Sequence, residues 1–177
     1  MQRRRVLIVD GYNVIRNNSR YAFAQPDYEG GSGWNDAREA LVNDAGLFAA
    51  GEYERCTVVF DGAANAASTG QPQRHGSVDV VFSPAGTSAD SVIEKLAYDA
   101  RARGLEVVVV SSDFTVQATV FGGGVTRMSA ASFGMASAQL EESWHESARR
   151  PDHVRNTVAD RVSPDVLEKL RRMRDGA

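Results

Sequence analysis

Cysteines and long apolar runs are scarce in this 177-residue chain, and each shortage excludes a class of protein. The single cysteine, Cys56, excludes a framework of intrachain disulfide bonds, so we expect a reducing cytoplasmic environment and a buried, apolar role for its thiol. No apolar run approaches the ~20 residues needed to span a bilayer, so no membrane partner is expected. Arg3, Arg4 and Arg5 lead straight into an apolar strand pattern, which is not the pattern of a signal peptide.

The chain also lacks the common signatures of zinc and nucleotide sites. Its three histidines, His75, His145 and His153, are scattered, and no histidine or cysteine spacing predicts a zinc site. The run of glycines at 122–124 has neither a dinucleotide-binding fingerprint nor a phosphate-loop lysine, so we interpret it as a helix stop.

Charge is unevenly distributed along the chain. From Arg149 onward there are eight basic and five acidic residues, whereas the other residues include twelve basic and eighteen acidic ones. A basic end on an acidic body suits a metal-centred site whose flanks hold a polyanion, although a solvated tail gives the same pattern. We therefore expect one domain over residues 1–150 and an Arg-rich linker and helix over residues 151–177.

The order of apolar segments predicts an α/β fold. Strands are expected near 5–9, 56–60, 77–82, 105–110 and 125–128, and helices near 35–51, 88–103, 114–121, 129–148 and from Ser163 onward. Residues 12–34 are expected to form a mobile polar loop. This alternation of strands and helices predicts a central parallel sheet with helices on both faces.

Acidic residues follow the ends of four predicted strands: Asp10, Asp61, Asp90 and Asp113. The ends of parallel strands share one sheet edge, where open α/β folds bind their ligands. Any one of these acids is also explained as a turn former or helix cap. Together they would repel one another, and a divalent cation offsets that repulsion. Carboxylate ligands favour Mg²⁺ or Mn²⁺ over zinc.

Several short motifs resemble those of a known family. They are Val6 to Ile15, Val58-Val59-Phe60-Asp61-Gly62, Ser88-Ala89-Asp90-Ser91 with Ile93-Glu94, and Ser111-Ser112-Asp113 with Gln117. In combination and order they resemble the YacP-type NYN domains, which are PIN-like nucleases. The resemblance covers most of residues 5–148 and implies a single PIN-like (NYN) domain. It also implies a metal-dependent endoribonuclease that acts on RNA, and some bacterial relatives are implicated in cleaving messenger RNA in association with the ribosome.

Carried over by position, the resemblance implies catalytic roles for five residues. Asp10, Asp90 and Asp113 would be the metal ligands, Asn13 would support or extend the site, and Ser112 would orient a ligand. Asp61 and Glu94 are possible additional acids. Some NYN nucleases have two adjacent aspartates where this chain has Asp90 followed by Ser91, which leaves the number of metal ions open.

Two residues are candidates for RNA binding. Arg38 could reach the same sheet edge and grip a phosphate, or it could be an ordinary surface arginine on a helix. Tyr12, with the nearby Tyr21, Phe23 and Tyr28, could stack on unpaired bases or simply pack against the body.

Two other functions compete with the nuclease. The first is an RNA- or ribosome-binding module whose acidic site is weak or inactive. The second is a haloacid-dehalogenase-like phosphatase, which is disfavoured because that chemistry usually needs an aspartate at the position of Tyr12.

Overall fold

The computed structural model describes residues 4–24, 33–113 and 125–149. The elements are β1 Arg5–Asp10, α1 Gly11–Arg16, a 3₁₀ helix Ser19–Ala24, α2 Gly33–Ala49, β2 Arg55–Phe60, β3 Gln73–His75, β4 Val78–Phe82, α3 Ala89–Ala102, β5 Glu106–Val110, β6 Val125–Met128 and α4 Ala130–Arg149. All of the sheet belongs to a compact unit spanning Met1–Glu141, and a second unit spans Glu142–Ala177. The predicted helices at 114–121 and from Ser163 lie outside the described residues, and the boundary at residue 150 stays a prediction.

The six strands form one sheet in the order β3-β4-β2-β1-β5-β6. The five longer strands are parallel, as predicted. β3 is an additional edge strand, antiparallel to β4, in a stretch where no strand was predicted. Its three residues, Gln73, Arg74 and His75, are polar and exposed, so they carry no apolar pattern that could have indicated it.

Two apolar cores lie on opposite faces of the sheet and confirm the predicted helix layers. In β1, Leu7 and Val9 belong to the core that includes residues of α1, α2 and α4. Val6 and Ile8 belong to the other core, which α3 covers. Because successive strand residues point to opposite faces, a strand buried on both sides needs a continuous apolar run. This requirement explains the valine-rich strands.

The expectation that residues 12–34 form a mobile polar loop is wrong for most of the described part of that segment. α1 occupies 11–16, the 3₁₀ helix occupies 19–24, and α2 begins at Gly33. Val14 and Ile15 are fully buried, which anchors α1 to the core. The prediction failed because Asn and Ser residues are typical of turns and loops, whereas this short helix is stabilised by tertiary contacts. Tyr28 lies outside the described residues.

A buried polar cluster fastens the 3₁₀ helix to α2. Arg20 donates two hydrogen bonds to the Asp44 carboxylate, at 2.6 and 3.0 Å, and a third to Glu141 at 2.8 Å. The Tyr21 hydroxyl donates to Asp44 at 2.8 Å, and the Tyr21 side chain is completely buried. Tyr21 therefore serves packing in this structure and does not present a ring for stacking.

Cys56 has the buried position that the sequence predicted. The residue is 2% exposed and its Sγ lies 3.7 Å from the carbonyl oxygen of Ala45. Burial raises the pKa of the Cys56 thiol to about 12, which keeps it protonated and unreactive at neutral pH.

We expect Asp44→Ala to destabilise the protein by about 2–3 kcal/mol, because it leaves the Arg20 guanidinium and the Tyr21 hydroxyl without their shared acceptor. Urea unfolding checks this. Asp36→Ala, an exposed acid in the first turn of the same helix, is the control and should cost less than about 1 kcal/mol. Equal losses in the two variants would contradict a structural role for the Asp44 cluster.

Candidate active site

Asp10 is the buried centre of the acidic sheet edge. It is the last residue of β1 and the N-cap of α1, and it is only 6% exposed. One carboxylate oxygen accepts a hydrogen bond from the Asn13 backbone N–H at 3.3 Å. The other accepts from the Ser111 hydroxyl at 3.1 Å. These two donors hold the carboxylate in one orientation at the end of the central strand.

Gly11 is required directly after this aspartate. A Cβ atom at position 11 would lie 2.3 Å from a ring carbon of Phe60, the last residue of β2. The absence of a side chain therefore lets α1 begin immediately against the neighbouring strand, and this tight approach keeps Asp10 at the edge of the sheet.

Two serines connect β1 with the end of β5 in different ways. The Asn13 side-chain oxygen accepts a hydrogen bond from the backbone N–H of Ser112 at 2.7 Å. The Ser112 hydroxyl accepts one from the backbone N–H of Ala130 at 3.0 Å, at the start of α4. Ser112 thus braces the site, while its neighbour Ser111 contacts Asp10.

Sequence reasoning missed Ser111. The register pairs Val9 with Val110, so the next residue of each strand, Asp10 and Ser111, come side by side. Both serines follow the same apolar run, and only the register of the two strands distinguishes them. The Ser111 hydroxyl also accepts a hydrogen bond from the backbone N–H of Asp113 at 3.1 Å.

Asp90 lies in the first turn of α3, whose N-cap is Ser88. Partial burial raises the pKa of Asp90, and the negative charges of Asp113 and Asp61 raise it further. The carboxylates that follow three different strands therefore lie close enough to repel one another. Glu94 is exposed, one turn further along α3.

Ser91, beside Asp90, takes part in the cap of α3. Its backbone N–H donates to the Ser88 hydroxyl at 3.3 Å, and the two hydroxyl oxygens lie 3.0 Å apart. The Ser91 side chain is thus engaged at the N-terminus of α3.

The negative charges of neighbouring carboxylates also act on Asp10. Burial raises the pKa of Asp10 to about 6, the hydrogen bonds from Asn13 and Ser111 oppose that rise, and the charges of Asp90 and Asp113 add to it. Among the described residues, no arginine, lysine or histidine forms an ion pair with Asp10 or Asp90. Within the described residues, Asp10 and Asp90 therefore repel each other without a directly paired cation.

The donor set suits a hard divalent cation, since carboxylate oxygens are the preferred ligands of Mg²⁺ and Mn²⁺. Within residues 4–24, 33–113 and 125–149, however, no three His, Cys, Asp or Glu side chains are close enough to share one ion in their present positions. The residues therefore fit a metal site in chemical type and electrostatics, and an ion shared by three of these carboxylates would require them to approach one another.

Arg38 and Tyr12 lie together beside the acids. Arg38 Nη1 donates to the Tyr12 hydroxyl at 2.8 Å. The Tyr12 ring packs against Trp34 and Phe60, with centroid separations of 5.3 and 5.1 Å. Tyr12 is thus held in an aromatic cluster, and the Arg38 guanidinium lies 5.7 Å from the centre of the ring of Phe82, the last residue of β4. Whether either binds RNA stays a prediction.

The chain matches the model of the YacP-like NYN domain over residues 7–175. It belongs to that family. It is 28% identical over 171 residues to the uncharacterized protein YacP of Bacillus subtilis (strain 168), covering 97% of each chain. A crystal structure of Rae1 (YacP) from Bacillus subtilis matches 97% of this chain and 95% of its own, with 26% identity and a TM-score of 0.66. A mutant of the same protein matches 82% of both chains, with 28% identity and a TM-score of 0.64.

Family membership confirms the resemblance inferred from the motifs and the α/β, PIN-like NYN fold. NYN domains form a PIN-like nuclease family, so the protein has the fold of a nuclease. No helix among the described residues has both the length and the apolar character needed to cross a membrane.

We expect Asp10→Asn to stabilise the protein at neutral pH in the presence of EDTA, by about 1–3 kcal/mol. The pKa of Asp10 is about 6 in the folded protein against an ordinary value of 3.8, so the folded state binds the proton more tightly. Its ionisation therefore lowers stability as the pH rises from about 4 to about 6, and the penalty is complete above that range. Asparagine keeps the size of the side chain and one of the two acceptor oxygens without the buried charge.

Urea unfolding of the two proteins from pH 4 to pH 8 measures this difference. The control is Asp99→Asn on α3, where the acid is exposed, and its stability should not change. An Asp10→Asn protein that is less stable than the parent at pH 7 would mean that the carboxylate is net stabilising and that its burial costs little.

Proposed function

We propose that this protein is a metal-dependent endoribonuclease that hydrolyses RNA phosphodiester bonds. The observation that carries the proposal is the mutual repulsion of Asp10, Asp90 and Asp113, which come from three separate strand-to-helix junctions. Neither Asp10 nor Asp90 has an ion-pair partner among the described residues. Membership of a PIN-like nuclease family supports the same chemistry.

Each residue has a stated role in this proposal. Asp10, Asp90 and Asp113 would hold Mg²⁺ or Mn²⁺, Ser111 orients the Asp10 carboxylate, and Asn13 connects the start of α1 to the segment that follows β5. A divalent ion held there would supply Lewis-acid chemistry, activation of a water and stabilisation of the leaving oxygen. Because the acids serve as ligands, no covalent intermediate with the protein is required. Asp61 and Glu94 remain candidates for a second ion.

Arg38 supplies the positive charge that an RNA phosphate needs at this edge. Its guanidinium is held by the neutral Tyr12 and Asn35 and lies 5.7 Å from the centre of the Phe82 ring. An arginine held by neutral groups keeps its full charge available for phosphate.

The alternative function is an RNA- or ribosome-binding module with a weak or inactive acidic site. The spacing of the acids favours this alternative, because no three His, Cys, Asp or Glu side chains among the described residues lie close enough to bind one ion. Ser91 also replaces the second aspartate found in some NYN nucleases, and its hydroxyl is engaged by Ser88. Cleavage assays separate the two functions.

With Mn²⁺ or Mg²⁺ and labelled RNA, we expect cleavage that EDTA abolishes. Substituting Asn for Asp10, Asp90 or Asp113 should reduce the rate by about a hundredfold or more, because each variant loses a charged ligand. RNA binding in filter assays should persist. Asp99→Asn, at the opposite end of α3 from Asp90, should cleave like the parent. Cleavage undiminished by EDTA would rule out the metal mechanism, and binding without any cleavage would favour the alternative.

The proposal extends to messenger RNA on the ribosome as the substrate, on the family resemblance. We expect cleavage of a given messenger RNA in a reconstituted translation system to increase when it is translated. The Asp10→Asn protein should sediment with ribosomes without cutting. Equal cleavage of the translated and untranslated RNA would contradict the ribosomal part of the proposal and leave the nuclease part standing.

A further inference from the structure

A groove of about 590 Å³ opens beside the acidic edge, between α2 and the β3–β4 hairpin. α2 contributes Asn35, Arg38 and Glu39 to its wall, and β3 contributes Gln73 and His75. The groove has the volume of an ordinary small-ligand site. Its lining is rich in hydrogen-bonding side chains, which distinguishes it from a gap in the apolar core.

The edge strand creates this groove. In the β3–β4 pair, Gln73 lies opposite Val80 and His75 opposite Val78, so the paired side chains point to the same face of the sheet. Val78 and Val80 belong to the core that α2 covers, whereas Gln73 and His75 are exposed. β3 thus extends the sheet beyond the part that α2 covers. Its polar side chains form one wall of the groove.

The floor of the groove continues into the candidate active site. Phe60 and Phe82, the last residues of β2 and β4, lie in the groove and stack with centroids 5.4 Å apart. Phe60 also contacts Tyr12, two residues beyond Asp10. Through these three rings the groove is therefore continuous with the segment that follows Asp10.

Arg38 stands where the groove meets the acidic edge. Among the described residues it pairs with no carboxylate, unlike Arg20, Arg55 and Arg74, which each pair with an aspartate. It is held instead by the Tyr12 hydroxyl and lies over the Phe82 ring. A guanidinium in this position can contact a phosphate or stack on a base.

We propose that this groove binds an unpaired nucleobase of the RNA, adjacent to the phosphate at the acidic edge. The inference rests on the proposed function and names the substrate class as single-stranded RNA. The base stacks on the Arg38 guanidinium, which lies over the Phe82 ring, and its edge hydrogen bonds with Gln73 and His75. A-form duplex RNA does not splay out a base, so it does not fill the groove.

The carboxylate of Glu39 in the groove wall favours a nucleobase over a second phosphate as the bound group. A carboxylate beside a bound phosphate would repel it, whereas the amino groups of bases donate hydrogen bonds to carboxylates. The amide of Gln73 and the imidazole of His75 can donate and accept, which also suits the mixed pattern of a base edge.

The experiment measures binding of fluorescein-labelled single-stranded hexanucleotides to the Asp10→Asn protein in EDTA. Gln73→Ala/His75→Ala should weaken binding about tenfold, because base recognition contributes on this order. When the same double substitution is made in the protein that keeps Asp10, it should raise the KM for RNA cleavage by a similar factor and leave kcat unchanged. Gln71→Ala, an exposed glutamine outside the groove lining, is the matched control and should bind and cleave like the parent.

Crosslinking of RNA that contains 4-thiouridine gives a readout that does not need activity, and the adduct should map to residues 73–82. A double variant that binds and cleaves like the parent, or adducts only outside the groove, would overturn the inference. If the native chain cleaves nothing while the adduct maps to the groove, the nuclease proposal fails and the base site stands. If the chain binds no single-stranded RNA, the base site fails.

Discussion

The burial of Asp10 at the end of the central strand is the constraint on which the acidic edge depends. A carboxylate in this position is expensive to ionise, and burial raises its pKa to about 6. Hydrogen bonds from Ser111 and from the Asn13 backbone partly offset the cost. The Asn13 bond is local to the start of α1, whereas the Ser111 bond requires β1 to lie beside β5 in one register. Slippage of that register would remove the Ser111 donor and leave the charge poorly solvated.

The arginines fall into two groups: those that form ion pairs within the fold, and those whose positive charge is available to a ligand. Arg20 and Arg55 pair with aspartates at a distance from the acidic edge and brace the fold. Arg38 lies over the ring of Phe82 at the end of β4, and Arg16, the last residue of α1, lies over the ring of Tyr12. Cation–π contacts hold a guanidinium in place without neutralising its charge. Among the described residues, the edge thus combines two carboxylates without an ion-pair partner, Asp10 and Asp90, with the Arg38 guanidinium, which pairs with no carboxylate, an arrangement suited to a cation and a polyanion together.

Much of the fold could be predicted from apolar runs, because a strand buried on both faces has a continuous valine-rich sequence. β3 could not, since Gln73, Arg74 and His75 form a strand only by pairing with β4. α1 was missed because its sequence contains turn-forming residues, whereas the helix depends on the contacts of Val14 and Ile15 with the core. In both cases long-range contacts, which local composition does not record, decide the conformation.

The sequence by itself determined which acids follow strand ends, and parallel topology then required Asp10, Asp90 and Asp113 to share an edge. Only the tertiary structure decided that Ser111 rather than Ser112 contacts Asp10. The tertiary structure also decided that a polar groove lies between α2 and the edge strand. The physical reason is that residue order specifies the strands and their ends, whereas register and strand neighbours emerge from packing between segments far apart in the chain.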